Sequence, residues 1–165
     1  MRSSDFKIHD HEKLDNILVE LCELIINKQK EDPDFYGMVA ACVLDNQNRV
    51  VKSTSQNMND KWVHAERAAM LKYEHEVGPL EEGSIIITTL SPCSKKMEDR
   101  YKESCTSIIN ESPIRKVYCG YSDPTQDDSE NYKHKKFHIE TSRNEKINEL
   151  CKERSEEHTS ELQSH

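Results

Sequence analysis

The stretch Ser84-Ile85-Ile86-Ile87-Thr88-Thr89-Leu90-Ser91-Pro92-Cys93 decides the fold. Residues 85 to 89 are all β-branched, and two heavy atoms on Cβ suit a side chain to a pleated, half-buried surface. This is the strongest strand in the chain, and it delivers Pro92 and Cys93 at its end.

Working outward, Leu14, Ile17, Leu18, Leu21, Cys22 and Ile25 recur at helical spacing and predict one buried face of a helix over 12–30. Asp32-Pro33-Asp34 breaks it. Met38 to Leu44 is apolar throughout and reads as a buried strand. Asp45 to Asn48 forms a turn before a second strand over 49–55. Polar Gln56 to Asp60 leads into a helix over 64–75, ended by Gly78-Pro79. Beyond the central strand, 94–103 reads as a charged loop, and Ser104 as the N-cap of a short helix holding Ile108 and Ile109. Pro113 ends that helix, and 114–121 reads as a strand. Residues 122–136 read as a polar loop, 137–141 as a further strand and 144–152 as a last helix. The order predicts an α/β fold in three layers: a mixed sheet of about five strands with helices on both faces.

Composition narrows the function. Leu, Ile, Val and Phe supply 33 of 165 residues, near the edge of the disordered class, but they are clustered, which predicts a core with polar ends. The longest apolar run, Met38 to Leu44, is far too short to span a membrane, and no apolar leader follows Arg2. Membrane insertion and secretion are therefore not expected, and a cytoplasmic location is. The net charge of −8 makes the chain a poor bulk partner for duplex DNA or anionic lipid, although a local basic patch can sit on an acidic protein. Six cysteines without an export signal read as buried thiols or metal ligands. The last twelve residues, RSEEHTSELQSH (154–165), match the frame translation of a sequencing-library adapter. The reading is therefore one domain over 1–153 followed by a non-native tail.

Three segments carry chemistry: Trp62-Val63-His64-Ala65-Glu66, Thr88 to Cys93, and Ser104-Cys105. His64 opens a helix, Cys93 follows the best strand, and Cys105 lies in the first turn of another helix, where a thiolate is favoured. One imidazole and two thiolates suit zinc and leave a fourth position for water. Glu66 stands two residues after His64, so the two side chains converge only if His64 lies at the helix boundary. Cys119, at the end of a strand, competes with Cys105 or could close a four-ligand structural site. Cys22, Cys42 and Cys151 occupy apolar positions and read as core.

His-Ala-Glu (64–66) and Thr-Leu-Ser-Pro-Cys (89–93) resemble the cytidine deaminase superfamily, whose signature is H-x-E followed by P-C-x-x-C. The resemblance covers 38–121. It departs from the pattern in one place: Lys96 stands where the second cysteine is expected, and the next cysteine is Cys105. Riboflavin-pathway pyrimidine deaminases also have a lengthened spacer, though a shorter one, and Cys-Gly-Tyr-Ser-Asp-Pro (119–124) looks like an element of that branch. Thr-Thr-Leu-Ser-Pro-Cys is equally similar to free-base cytosine deaminases.

The resemblance implies a cytidine deaminase-like fold and a Zn2+ ion held by His64, Cys93 and Cys105. It further implies hydrolytic deamination of a small pyrimidine or aminopyrimidine, base or nucleotide, and a homo-oligomer. Glu66 is then the proton carrier, the Ser91 carbonyl receives the departing ammonia, and the Ala65 N–H holds the base. Asn57 occupies the place of a substrate-binding asparagine, and Phe35, Tyr36 and Trp62 are candidates to stack on the ring. Each has an ordinary alternative: Tyr36 and Trp62 as core fillers, and Lys95, Lys96, Arg100 and Lys102 as a solvated loop rather than a phosphate contact. Two rival functions stay open: a deaminase acting on single-stranded nucleic acid, and a non-catalytic zinc-stabilised module.

Overall fold

The computed structural model describes residues 10–32, 39–58, 61–92, 105–122 and 135–164, without the side chains of 57, 61, 62 and 155–164. Helix α1 spans His11–Glu31. Its first turn is closed by Asp10, whose carboxylate accepts the Glu12 N–H at 2.8 Å and whose carbonyl accepts the Leu14 N–H at 3.1 Å. The stripe from Leu14 to Ile25 is buried, as its spacing predicts. The helix stops at Asp32, pushed into the extended region because Pro33 follows.

Strands β1 (Ala40–Leu44) and β2 (Val50–Thr54) form a hairpin around Asp45 to Arg49. Asn48 takes a φ of 64° in that turn, a left-handed conformation that asparagine tolerates better than most residues. Two short strands follow, β3 (Gln56–Met58) and β4 (Lys61–Val63), then helix α2 (Ala65–Glu76). Next come β5 (Ile85–Leu90), α3 (Cys105–Asn110), β6 (Lys116–Tyr121), β7 (His138–Thr141) and α4 (Glu145–Ser164).

The sheet runs β2-β1-β5-β6-β7. β1 is antiparallel to both neighbours, whereas β5, β6 and β7 are parallel. Strand alternation sends Cys42, Leu44, Ile85, Ile87 and Tyr118 to one face, where they pack on α1 and on Ile147 and Cys151 of α4. Val43, Val51, Ile86 and Val117 go to the other face, against Ala69, Met70 and Tyr73 of α2 and Ile109 of α3. This is the three-layer mixed sheet that the element order predicts. No helix among the described residues is long and apolar enough to cross a membrane.

Three local features differ from expectation. The hairpin β3–β4 replaces a featureless polar approach to α2; three-residue strands are too short to show alternation. Asn144 lies outside the last helix as its cap, its side-chain oxygen accepting the Lys146 and Ile147 amides at 3.0 and 3.3 Å. α4 continues through the presumed tail to Ser164, a stretch without Gly or Pro in which Glu, Leu and Gln favour helix. The Ser104 cap lies outside the described residues.

Candidate active site

Strands β5 and β6 run parallel and end side by side, where the Ser91 N–H donates to the Tyr121 carbonyl at 2.9 Å. Parallel sheets place their sites beyond the carboxyl ends of their strands. Two helices begin beside this edge. The end of the β3–β4 hairpin feeds directly into His64, which is the N-cap of α2 with φ −67° and ψ 155°. Its carbonyl accepts the Ala68 N–H at 2.8 Å, starting the helical ladder, while its side chain caps nothing. An N-cap is usually a short polar residue that bonds back to the helix. Here the imidazole is directed elsewhere: Nδ1 lies 3.4 Å from Sγ of Cys105, the first residue of α3.

That contact joins residues 41 apart in sequence, and the Cys105 side is 3% exposed. In a tetrahedral zinc site with Zn–N near 2.0 Å and Zn–S near 2.3 Å, two such ligand atoms sit about 3.5 Å apart. The donor types and the spacing therefore fit a zinc ion. Glu66, in the first turn of α2, is 4% exposed, so the boundary position of His64 brings a buried carboxylate close to the imidazole–thiol pair along the chain. Burial in low dielectric strengthens every electrostatic interaction that such a carboxylate makes.

Ala65 is fully buried and Ser91 is 4% exposed. Asn57 and Trp62 are register partners in the β3–β4 hairpin, a juxtaposition that the sequence reading did not foresee. Their side chains, together with Cys93, Phe35, Tyr36 and the spacer cations Lys95, Lys96, Arg100 and Lys102, lie outside the described residues. Among the described residues no group of three metal-ligating side chains is assembled.

Cys119 has different company. It is fully buried on β6, its Sγ is 3.5 Å from Oγ1 of Thr141, and desolvation, reinforced by the negative charge of Glu66, pushes its thiol up to about 11. Cys42 is likewise held protonated, pushed up to about 12 by burial. The geometry pairs His64 with Cys105, whereas the Cys119 sulphur meets Thr141.

Residues 13–121 match the model of the cytidine and deoxycytidylate deaminase zinc-binding region. Solved structures share the fold. A diaminohydroxyphosphoribosylaminopyrimidine deaminase/5-amino-6-(5-phosphoribosylamino)uracil reductase from Thermotoga maritima superposes with a TM-score of 0.65 at 22% identity, covering 93% of this chain. The chain spans only 43% of that bifunctional protein. The Rib2 deaminase of Aspergillus oryzae, studied as a C-terminal deletion mutant, gives 0.58 at 18% identity, covering 94% of this chain and 99% of that one. A deaminase acting at the wobble position of transfer RNA gives 0.54 at 22% identity, covering 76% of this chain and 97% of that one. Among curated proteins, none matches. With two-thirds of its length matched, from α1 to the end of β6, the chain belongs to the cytidine and deoxycytidylate deaminase family.

Proposed function

We propose that the protein is a zinc-dependent hydrolytic deaminase that replaces an amino group on a small pyrimidine or aminopyrimidine with a carbonyl and releases ammonia. The observation that carries this reading is the 3.4 Å approach of His64 Nδ1 to Cys105 Sγ with buried Glu66 two residues along. His64, Cys105 and, by its place after Pro92, Cys93 would hold the zinc. A zinc ion in such a site supplies a Lewis acid that brings the pKa of water toward neutrality.

The chain's own residues do the rest. Glu66 accepts a proton from the attacking nucleophile, returns it to the ring nitrogen and then serves the departing amine, a shuttle worth about 10²–10⁴-fold. The first turn of α2 offers backbone N–H groups that His64 does not cap with its side chain, and Ala65 presents one of them to the base. Ser91, tied by its amide to the end of β6, offers its carbonyl to the departing ammonia. Residues 1–153 form the deaminase domain in this reading.

The test is ammonia release by the full chain against cytosine, cytidine, CMP, dCMP, a ribosylated diaminopyrimidine phosphate and single-stranded oligonucleotides. Turnover of one small molecule is expected, reduced at least about 10²-fold in Glu66→Gln with zinc retained. Activity confined to oligonucleotides, or undiminished in Glu66→Gln, overturns the proposal.

A further inference from the structure

Cys22 and Cys151 are 129 residues apart in sequence, yet their Sγ atoms lie 3.7 Å apart, and each residue is 1% exposed. They join the buried stripe of α1 to the docking face of α4, on the side of the sheet away from His64. Apolar spacing assigns both to the core and does not reveal that they meet. Two thiols in van der Waals contact need little further approach to reach a disulfide bond of about 2.05 Å.

The surroundings fix the pair. Gly120 of β6 lies directly beneath Cys151: a Cβ built there would sit 2.2 Å from its Sγ. One turn away on α4, Nδ2 of Asn148 donates to the carbonyls of Gly120 at 2.8 Å and Ser142 at 2.9 Å. The next residue of β6, Tyr121, accepts the Ser91 amide at the candidate active site. α4 therefore supports the strand that carries one wall of that site, and the two thiols sit where α4 meets both α1 and that strand.

We propose that Cys22 and Cys151 form a dithiol that hydrogen peroxide converts into an intramolecular disulfide, clamping α4 to α1. Hydrogen bonding from Cys151 holds the Cys22 thiol below its ordinary range, so Cys22 is the sulphur that ionises first. Its thiolate attacks one peroxide oxygen; the O–O bond breaks and hydroxide leaves, taking up the Cys22 proton as water. The resulting sulfenic acid is attacked at sulphur by Cys151; the S–O bond breaks and the second oxygen departs as water with the Cys151 proton. Two thiols and one peroxide give one disulfide and two waters, the sulphurs losing the two electrons that the peroxide gains. Burial makes peroxide access the slow part and keeps bulkier oxidants out. The bond encloses the whole sheet within one loop, which restricts the unfolded chain without entering the site.

The experiment treats the full chain with hydrogen peroxide, blocks remaining thiols with iodoacetamide in denaturant, and maps unreduced peptides by mass spectrometry. The expected product is a peptide pair joined through Cys22 and Cys151 and lighter by two hydrogens. A Tm raised by about 5–15 °C should accompany it, reversed by dithiothreitol and absent in Cys22→Ser. Recovery of both residues as alkylated thiols, as sulfinic acids or joined to other cysteines overturns the proposal. A linked peptide without the rise in Tm overturns the clamp. Peptide mapping of the unsubstituted chain decides the pairing whether or not the serine variant folds.

Discussion

Gly120→Ala should destabilise the protein by crowding one residue, Cys151. The glycine's backbone is ordinary strand, so alanine fits its conformation and would by itself add about 0.4–1 kcal/mol by restricting the unfolded chain. Against that gain stands a Cβ 2.2 Å from Cys151 Sγ, where a carbon–sulphur contact needs more than a further ångström of room. Rotating the thiol away relieves only the first contact, because the new Cβ also lies 3.0 Å from Cys151 Cβ. Overpacking of this kind costs about 1–3 kcal/mol, and two close contacts to one residue put this case near the top. The net loss is about 2 kcal/mol, which lowers Tm by about 4–8 °C for a chain of this size. Thermal unfolding followed by circular dichroism reads it, in a double-mutant cycle with Cys151→Ala. In the Cys151→Ala background the Gly120→Ala penalty should shrink to within about 0.5 kcal/mol of zero, since the 3.0 Å contact to the residue 151 Cβ and an ordinary 3.4 Å contact to the Thr89 carbonyl are left and alanine's gain offsets them. An unchanged penalty in that background, or no penalty in the parent, would refute the packing argument.

Other substitutions test the scaffold. Asp45 is buried, and desolvation raises its carboxyl, but hydrogen bonds from Tyr73, the Arg49 side chain and the Arg49 and Gln47 amides outweigh this and hold it below its ordinary value. A depressed folded-state value stabilises above the unfolded aspartate's pKa of about 3.9 and is lost as pH falls through the folded value. Tyr73→Phe removes the 2.7 Å bond to that carboxylate, so it should cost about 1.5–3 kcal/mol at pH 7 and move the acid-unfolding midpoint upward in a pH titration of ellipticity. Asn144→Ala removes the cap of α4 and should cost about 1 kcal/mol by urea denaturation, with Asn144→Ser retaining most of it.

The sequence carried the fold because its signals are strong where the layers meet. The β-branched run at Ile85 to Thr89 and the helical spacing from Leu14 to Ile25 each fit one period only, and both segments are buried as that period requires. The β3–β4 hairpin escaped because three residues per strand carry no period, and its register alone brings Asn57 opposite Trp62. At the site, His64, Glu66 and Cys105 were legible from the motif, with Cys119 left as a competitor for Cys105. Cys105 and Cys119 both satisfy a sequence argument, and only the start of α3 beside the start of α2 separates them. The same holds for Cys22 and Cys151, since burial is written in the period but contact between two distant helices is not.

Zinc content measured by elemental analysis of purified variants tests the central claim, that His64 and Cys105 anchor the catalytic metal. The parent chain is expected to hold zinc; Cys105→Ala should lose it, while Cys119→Ala, which removes a buried thiol that meets Thr141, should retain it in full. Loss of zinc in Cys119→Ala with retention in Cys105→Ala would contradict the ligand set and, with it, the assignment of this edge of the sheet as the reaction centre.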